Sequence, residues 1–299
     1  MEPITFRTAT GKAYHLDIDK IHPNILSAGS PGRIKKIAAF LENPTVEEGD
    51  RGHTVVHGRY KGIDVSAFAT GMGPASTAIV LPEAIELAKG PITLLRLGTA
   101  GALQPFINIG ELVVSSGAVR DEGTTRAAVG PEYPAISNFE LIPLIIAAAK
   151  LHGYELQKNL WVGITHTKDD LYFAETPQFS PLTELVTPKL ESYKRMGVLA
   201  SSMEFSVYSI MRDFYEGRRD GKILVAEILT ITAAPEKKGA IDVSKVDKPK
   251  LEKDMIKIGL DTLVLVNKLR NGEKLEIDLA EILRRLLTTP TRYTLCKTI

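Results

Sequence analysis

Ile92-Thr93-Leu94-Leu95-Arg96-Leu97-Gly98-Thr99-Ala100-Gly101-Ala102 sets one arginine inside an apolar run that otherwise reads as a buried β-strand. A buried strand rarely tolerates an unpaired cation. The run then breaks at Gly98-Thr99-Ala100-Gly101, whose small residues let backbone amides and a hydroxyl come close to an anion. Arg96, Thr99 and the open backbone together suit a phosphate. The competing reading is a strand-end arginine paired with a carboxylate such as Glu111, and this stretch alone leaves both open.

Outward from this strand, short β-rich runs alternate with helical patterns. ILSAG precedes RIKKIAAFL; TVVHGRY and DVSAFATG precede STAIVLPEAIELAK; ELVVSSGAV, LIPLIIAAAKLHGY, WVGITHT and KILVAEILTIT follow. This alternation predicts an α/β chain with a central mixed sheet flanked by helices. We read residues 1–299 as a single domain. Residues 235–250, PEKKGAIDVSKVDKPK, read as an exposed loop before a helix beginning near Leu251. An extension over 273–299 carries the amphipathic run LAEILRRLL, which should pack on the body or on a partner.

Charge and cysteine content narrow the function classes. Thirty-seven basic residues against 36 acidic ones leave a net charge of +1, so no broad footprint for nucleic acid or anionic membrane is expected. The one cysteine, Cys296, allows neither an intramolecular disulfide nor a zinc or iron–sulfur framework. There is no signal-peptide pattern at the N-terminus and no run of 18 apolar residues, so the expectation is a cytoplasmic protein.

Three further segments carry candidate chemistry. Ser27-Ala28-Gly29-Ser30-Pro31-Gly32-Arg33 is a glycine turn feeding a helix, where free N–H groups and Arg33 could hold an anion; an ordinary connection with a solvated arginine is the alternative. Thr70-Gly71-Met72-Gly73-Pro74-Ala75-Ser76-Thr77 leads into a helix capped by Ser76 or Thr77. Ser201-Ser202-Met203-Glu204-Phe205 sets a carboxylate at a helix start. Glu204 could accept hydrogen bonds from a vicinal diol with Met203 as an apolar face for a sugar, or it could be a capping glutamate beside a core methionine.

In their order and spacing, these segments resemble the nucleoside phosphorylases of the trimeric and hexameric class, with bacterial uridine phosphorylases the nearest type. RLGTAGALQPFINIGELVV and SMEFSVYSIM carry the resemblance, which runs over about 15–268. It implies a nucleoside and inorganic phosphate as substrates, no cofactor and no metal, and a dimer-based homo-oligomer, a hexamer, whose neighbouring chains complete each site. By the same resemblance Gly29, Arg33, Arg96 and Thr99 bind phosphate, with Arg51 reaching it from the adjacent subunit. Met203 and Glu204 hold the ribose, His15 of the neighbour meets the 5′-hydroxyl, and Leu171, Glu175, Leu229 and Thr230 fall at the base. Arg96 and Glu204 are the residues on which catalysis would rest.

The chain also departs from that pattern. Glu175 and Pro177 stand where uridine phosphorylases carry a glutamine and an arginine that clamp uracil, and neither is a side-chain donor when the glutamate is ionised. Thr232 replaces a supporting arginine. Ile231 and Thr232 also replace the aspartate of purine nucleoside phosphorylases, and Gly52 matches the glutamate of an intersubunit cation site. Lys168, Asp169, Asp170 or Gln178 could serve the base instead. A purine or broad-specificity phosphorylase, a nucleosidase and a non-catalytic nucleoside-binding protein are the alternatives.

Overall fold

A computed structural model describes residues 3–234 and 248–288. Its centre is the strand anticipated from Arg96: β5 (Ile92–Ala102) runs parallel to β1 (Asn24–Ala28) on one side and to β10 (Ile223–Ala233) on the other. Beyond β1 come β4 (Ile63–Ala69), β3 (Thr54–Tyr60) and β2 (Glu42–Glu48), the last two pairings antiparallel. Beyond β10 the sheet continues through β6 (Leu112–Asp121), β8 (Leu160–Lys168) and β9 (Ala200–Ser202). β9 then pairs with Gly101 and Ala102 of β5, so five strands close into a ring. Closure needs strands that bend, and register shifts lie between Ile231 and Ala233 of β10 and between Ser115 and Gly117 of β6.

The mixed sheet with flanking helices agrees with the sequence reading; the ring closure was not legible there. Several elements also went unread, among them β9, β7 (Ala135–Ile136), which pairs with β6, α3 (Gly123–Ala128) and two longer ones. All residues of β2 are exposed, so no apolar alternation marks it, and its Glu42, Glu47 and Glu48 protect an edge strand from further pairing. Helix α6 (Thr183–Arg195) has no fully buried residue, and Pro188 inside it breaks the pattern expected of a helix.

Period-two alternation divides β5 between two cores. Leu95 and Leu97 face α1 (Pro31–Ala38), α4 (Leu141–Leu151) and α8 (Lys248–Arg270), while Ile92 and Leu94 face α2 (Pro74–Leu87) and α7 (Phe205–Glu216). Arg96 continues the second row. Helix α8 begins at Lys248, earlier than expected, because the run before Leu251 already belongs to its first turn. The loop expected before it lies outside the described residues up to 247, as does Cys296. In the C-terminal extension, α9 (Leu279–Thr288) buries Ile282 in the core cluster formed by α4 and α8, with Leu279 and Leu286 packed against it. This answers the alternative left open for that helix: it docks on the body.

Candidate functional site

Arg96 is 4% exposed and lies between two carboxylates. Its Nη1 donates to Glu227 Oε1 at 2.6 Å and its Nη2 donates to Glu204 Oε2. Burial works against the guanidinium charge, yet these two anions outweigh it and push the Arg96 pKa upward. Glu111, the partner suggested by sequence, instead accepts from Trp161 Nε1 at 2.6 Å and from Asn108. Gly98 makes the geometry possible: a Cβ there would collide with the Arg96 guanidinium, which folds back over that position.

Glu204 stands at the N-cap position of α7 but does not cap it through its side chain. Its Oε1 accepts from Gly73 N at 2.9 Å, so the carboxylate ties the Thr70–Thr77 turn to Arg96. That turn caps α2 differently from expectation. Gly73 is the N-cap, while Ser76 Oγ donates to Thr70 O at 2.5 Å and Thr77 Oγ1 to Gly73 O at 3.0 Å. Met203 is half-buried beside it, its methyl 4.0 Å from where a Gly73 Cβ would be.

Arg33 is buried, not solvated. Nη1 donates to Leu97 O at 2.9 Å, one residue beyond Arg96, and Nη2 donates to Glu252 Oε1 of α8 at 3.2 Å. Burial and then the nearby charge of Arg96 lower its pKa against the pull of Glu252, which shows the two guanidiniums within each other's field. Among the described residues neither Arg33 Nε nor Arg96 Nε, both buried, has a hydrogen-bond partner. Two buried cations with idle N–H groups fit an anion better than a hydrocarbon neighbour. Gly29 follows β1, where a Cβ would lie 2.9 Å from Gly71 O, so only glycine lets the two turns meet. Tyr208 of α7 shares a 2.9 Å hydrogen bond with Ser27, and burial first of all pushes its pKa up to about 12. Thr99 lies further along β5, opposite Thr230 in register.

His15 and Arg51 form a separate patch. Nδ1 of His15 is 2.7 Å from Glu83 Oε1, and the same carboxylate accepts from the backbone N–H of His15 and Leu16. Tyr14 packs edge-on against His15, and the Arg51 guanidinium lies 5.4 Å from the centre of the Tyr14 ring. Neither makes a hydrogen bond or ion pair to Arg33, Arg96 or Glu204.

The base-side residues divide likewise. Leu229 and Thr230 are buried in β10, with Thr230 Oγ1 3.5 Å from Met255 Sδ. Leu171 is exposed at the N-terminus of the short helix α5 (Tyr172–Glu175), which Glu175 closes. A cavity of about 400 Å³ opens between this loop, α6 and the end of β8, walled by Phe173, Leu182, Val186 and Leu190. At its polar end Lys168 Nζ donates to Ser201 Oγ, and His166 bridges Ser201 Oγ and Asp121 at 3.1 and 3.0 Å.

Sequence reasoning missed three carboxylates: Glu227, Glu252 and Glu83. Glu227 had a signal, being an acid in the middle of the apolar run KILVAEILTIT, just as Arg96 is a base in the middle of ITLLRLG. In the fold these two intrusions are direct neighbours in register.

The model of the phosphorylase superfamily matches residues 24–211. The chain is similar to a uridine phosphorylase of Treponema pallidum, 30% identical over 219 residues that cover 73% of this chain and 83% of that one. It is also similar to a guanosine phosphorylase of Halorubrum lacusprofundi, 28% identical over 72% of this chain and 83% of that one. Among solved structures, the uridine phosphorylase of Vibrio fischeri superposes with a TM-score of 0.70 at 25% identity, covering 89% of this chain and 100% of that one. The chain belongs to the phosphorylase superfamily.

Proposed function

We propose that the protein is a nucleoside phosphorylase of the uridine phosphorylase type. It transfers the pentose of a nucleoside to inorganic phosphate, releasing the free base. The observation that carries this reading is the Arg96–Glu204 bridge, which joins an arginine suited to phosphate with a carboxylate suited to a sugar diol. The names of the similar proteins support the reaction class, and their two bases, uracil and guanine, leave the base to the loop around Leu171 and Glu175.

In this reading Gly29, Arg33, Arg96 and Thr99 hold phosphate below C1′. Met203 and Glu204 hold the ribose, and Leu171, Glu175, Leu229 and Thr230 line the base. A phosphate oxygen bonds to C1′ as the C1′–N bond breaks; the electron pair leaves with the base, which takes up a proton, and pentose 1-phosphate remains. The transition state has oxocarbenium character, so the protein supplies position and charge instead of a nucleophile. The chemistry calls for no cofactor. Arg51 and His15, grouped around Tyr14 and not hydrogen-bonded to the Arg96 cluster, would serve a neighbouring chain's site in a dimer-based homo-oligomer, a hexamer in our reading. A cytoplasmic setting fits nucleoside breakdown and salvage, and among the described residues no helix is long and apolar enough to cross a membrane.

The test is base release from a panel of nucleosides with and without phosphate or arsenate. Release that depends on the oxyanion, fastest with uridine, is expected. Equal release in phosphate-free buffer would make the protein a nucleosidase, and none with any nucleoside would make it a binding protein.

A further inference from the structure

Glu227 is wholly buried in β10, directly beside Arg96 of β5. A carboxylate in that position is rare unless fully partnered. Its Oε1 accepts from Arg96 Nη1 at 2.6 Å and from Ser202 Oγ at 3.3 Å, and its Oε2 accepts from Ser115 Oγ at 2.5 Å. Ser115 Oγ in turn accepts from Thr165 Oγ1 at 2.9 Å. Arg96, Ser115, Thr165, Ser202 and Glu227 come one each from β5, β6, β8, β9 and β10, the five strands that close the ring. The network therefore fixes one end of the Arg96 guanidinium to every wall of that ring.

The other end is held differently. Glu204 sits at a helix start, and among the described residues its side chain accepts, besides Arg96, only a backbone N–H from the Gly73 turn. In phosphorolysis Glu204 has to accept from the sugar hydroxyls, which competes with its contact to Arg96 Nη2. Without a second anchor, a guanidinium released by Glu204 would be free to swing away from the phosphate.

We propose that Glu227 is a positioning residue that holds Arg96 in the phosphate seat while Glu204 exchanges Arg96 for the sugar. The inference rests on the phosphorolysis reading. It runs against simple charge counting, in which an extra buried anion beside a phosphate seat could only weaken phosphate binding. Orientation and charge predict opposite signs, so measurement can separate them.

The experiment is steady-state kinetics of the full-length protein, varying phosphate and nucleoside independently. Loss of a charge-assisted hydrogen bond corresponds to about a tenfold or larger effect. Glu227→Ala is accordingly expected to raise the phosphate KM about tenfold or more, with the nucleoside KM changed less than about twofold. Glu227→Gln keeps an acceptor for Arg96 Nη1 while its amide can donate to Ser115 Oγ, so its phosphate KM should return to within about threefold of the parent. Should Glu227→Ala not fold, Ser115→Ala removes one of the anchor's own bonds and should raise the phosphate KM about two- to fourfold. A lower phosphate KM in any of these variants, an unchanged one in Glu227→Ala or Ser115→Ala, or parallel rises in both KM values would overturn the role. A parent protein that releases base without phosphate overturns the phosphorolysis reading itself, whereas a phosphate-dependent parent with insensitive variants overturns only the anchor.

Discussion

The Arg96 cluster and the loop after β8 are built in opposite ways. Around Arg96 the strands β1, β5, β6 and β10 and helix α7 supply buried side chains tied to one another by hydrogen bonds, while the Arg96 Nε has no partner among the described residues. After β8, Leu171, Tyr172 and Phe173 are exposed on a single turn of helix, and nearby α6 buries nothing. The contrast suits a divided task. In the proposed reaction, phosphate and a pentose take part whatever the base, so groups that recognise them can be built into the core, where a low dielectric strengthens each contact. The base varies, and a surface loop tolerates change because little packing depends on it.

The strongest test of this division is Arg96→Ala. Removing the guanidinium leaves Glu204 and Glu227 buried without their cation, a defect that costs about 3–5 kcal/mol of stability. Turnover should fall about a thousandfold, since one lost oxyanion contact alone costs about 10²–10³. Urea midpoints and initial rates measure both; a variant with half its activity would mean that the cluster is only structural.

Next in size is the sharing of sites between chains. Arg51→Ala and Glu204→Ala chains should each lose about a hundredfold in activity, the scale of one charge-assisted contact. Co-assembled chains should regain part of it, because a mixed dimer contains one site with both residues intact. Proven mixed dimers without recovery would assign the Tyr14 patch to another purpose.

The loop should respond more gently. Phe173→Ala is expected to raise the nucleoside KM about three- to tenfold, the scale of one aromatic contact, and to leave the phosphate KM as it was. An altered phosphate KM would break the distinction between loop and core.

The smallest effect is expected in neither region, on β3. His57 hydrogen-bonds Ser66 at 2.8 Å, and burial, then His22 and Lys20, push its pKa down to about 4. Between its ordinary 6.5 and that value the unfolded chain binds a proton that the folded chain refuses, so stability should fall as pH drops through this window. Partial exposure limits the loss to about 1 kcal/mol. His57→Gln should flatten the urea midpoint over that range, and an unchanged slope would assign the acid sensitivity to other groups.

Much of the core cluster was legible because charges inside apolar runs are rare. Arg96 in ITLLRLG and Glu204 in SSMEFS stand out for that reason, and Gly29 and Arg33 stand out as a glycine turn before a helix. The loop after β8 was legible only as a departure: Glu175 and Pro177 mark an expected uracil clamp as missing or displaced without announcing what replaces it. Exposed polar residues carry no periodic signal, which hid β2, whereas an internal proline, Pro188, obscured α6.

The sequence by itself determined the alternation of strands and helices, the mixed sheet, and the arginine that had to find a partner. Hydrophobic periodicity and the cost of burying a charge act locally, so they can be read from neighbours in the chain. Which partner Arg96 found was decided only by tertiary structure. Glu227 lies 131 positions away from it and Glu204 108, while Glu111, much nearer in sequence, is bonded to Trp161. Ring closure brings β5, β10 and β9 together, and strand register then sets Glu227 opposite Arg96. Long-range pairing of this kind depends on how bulged strands bend and close, which no local pattern of residues encodes.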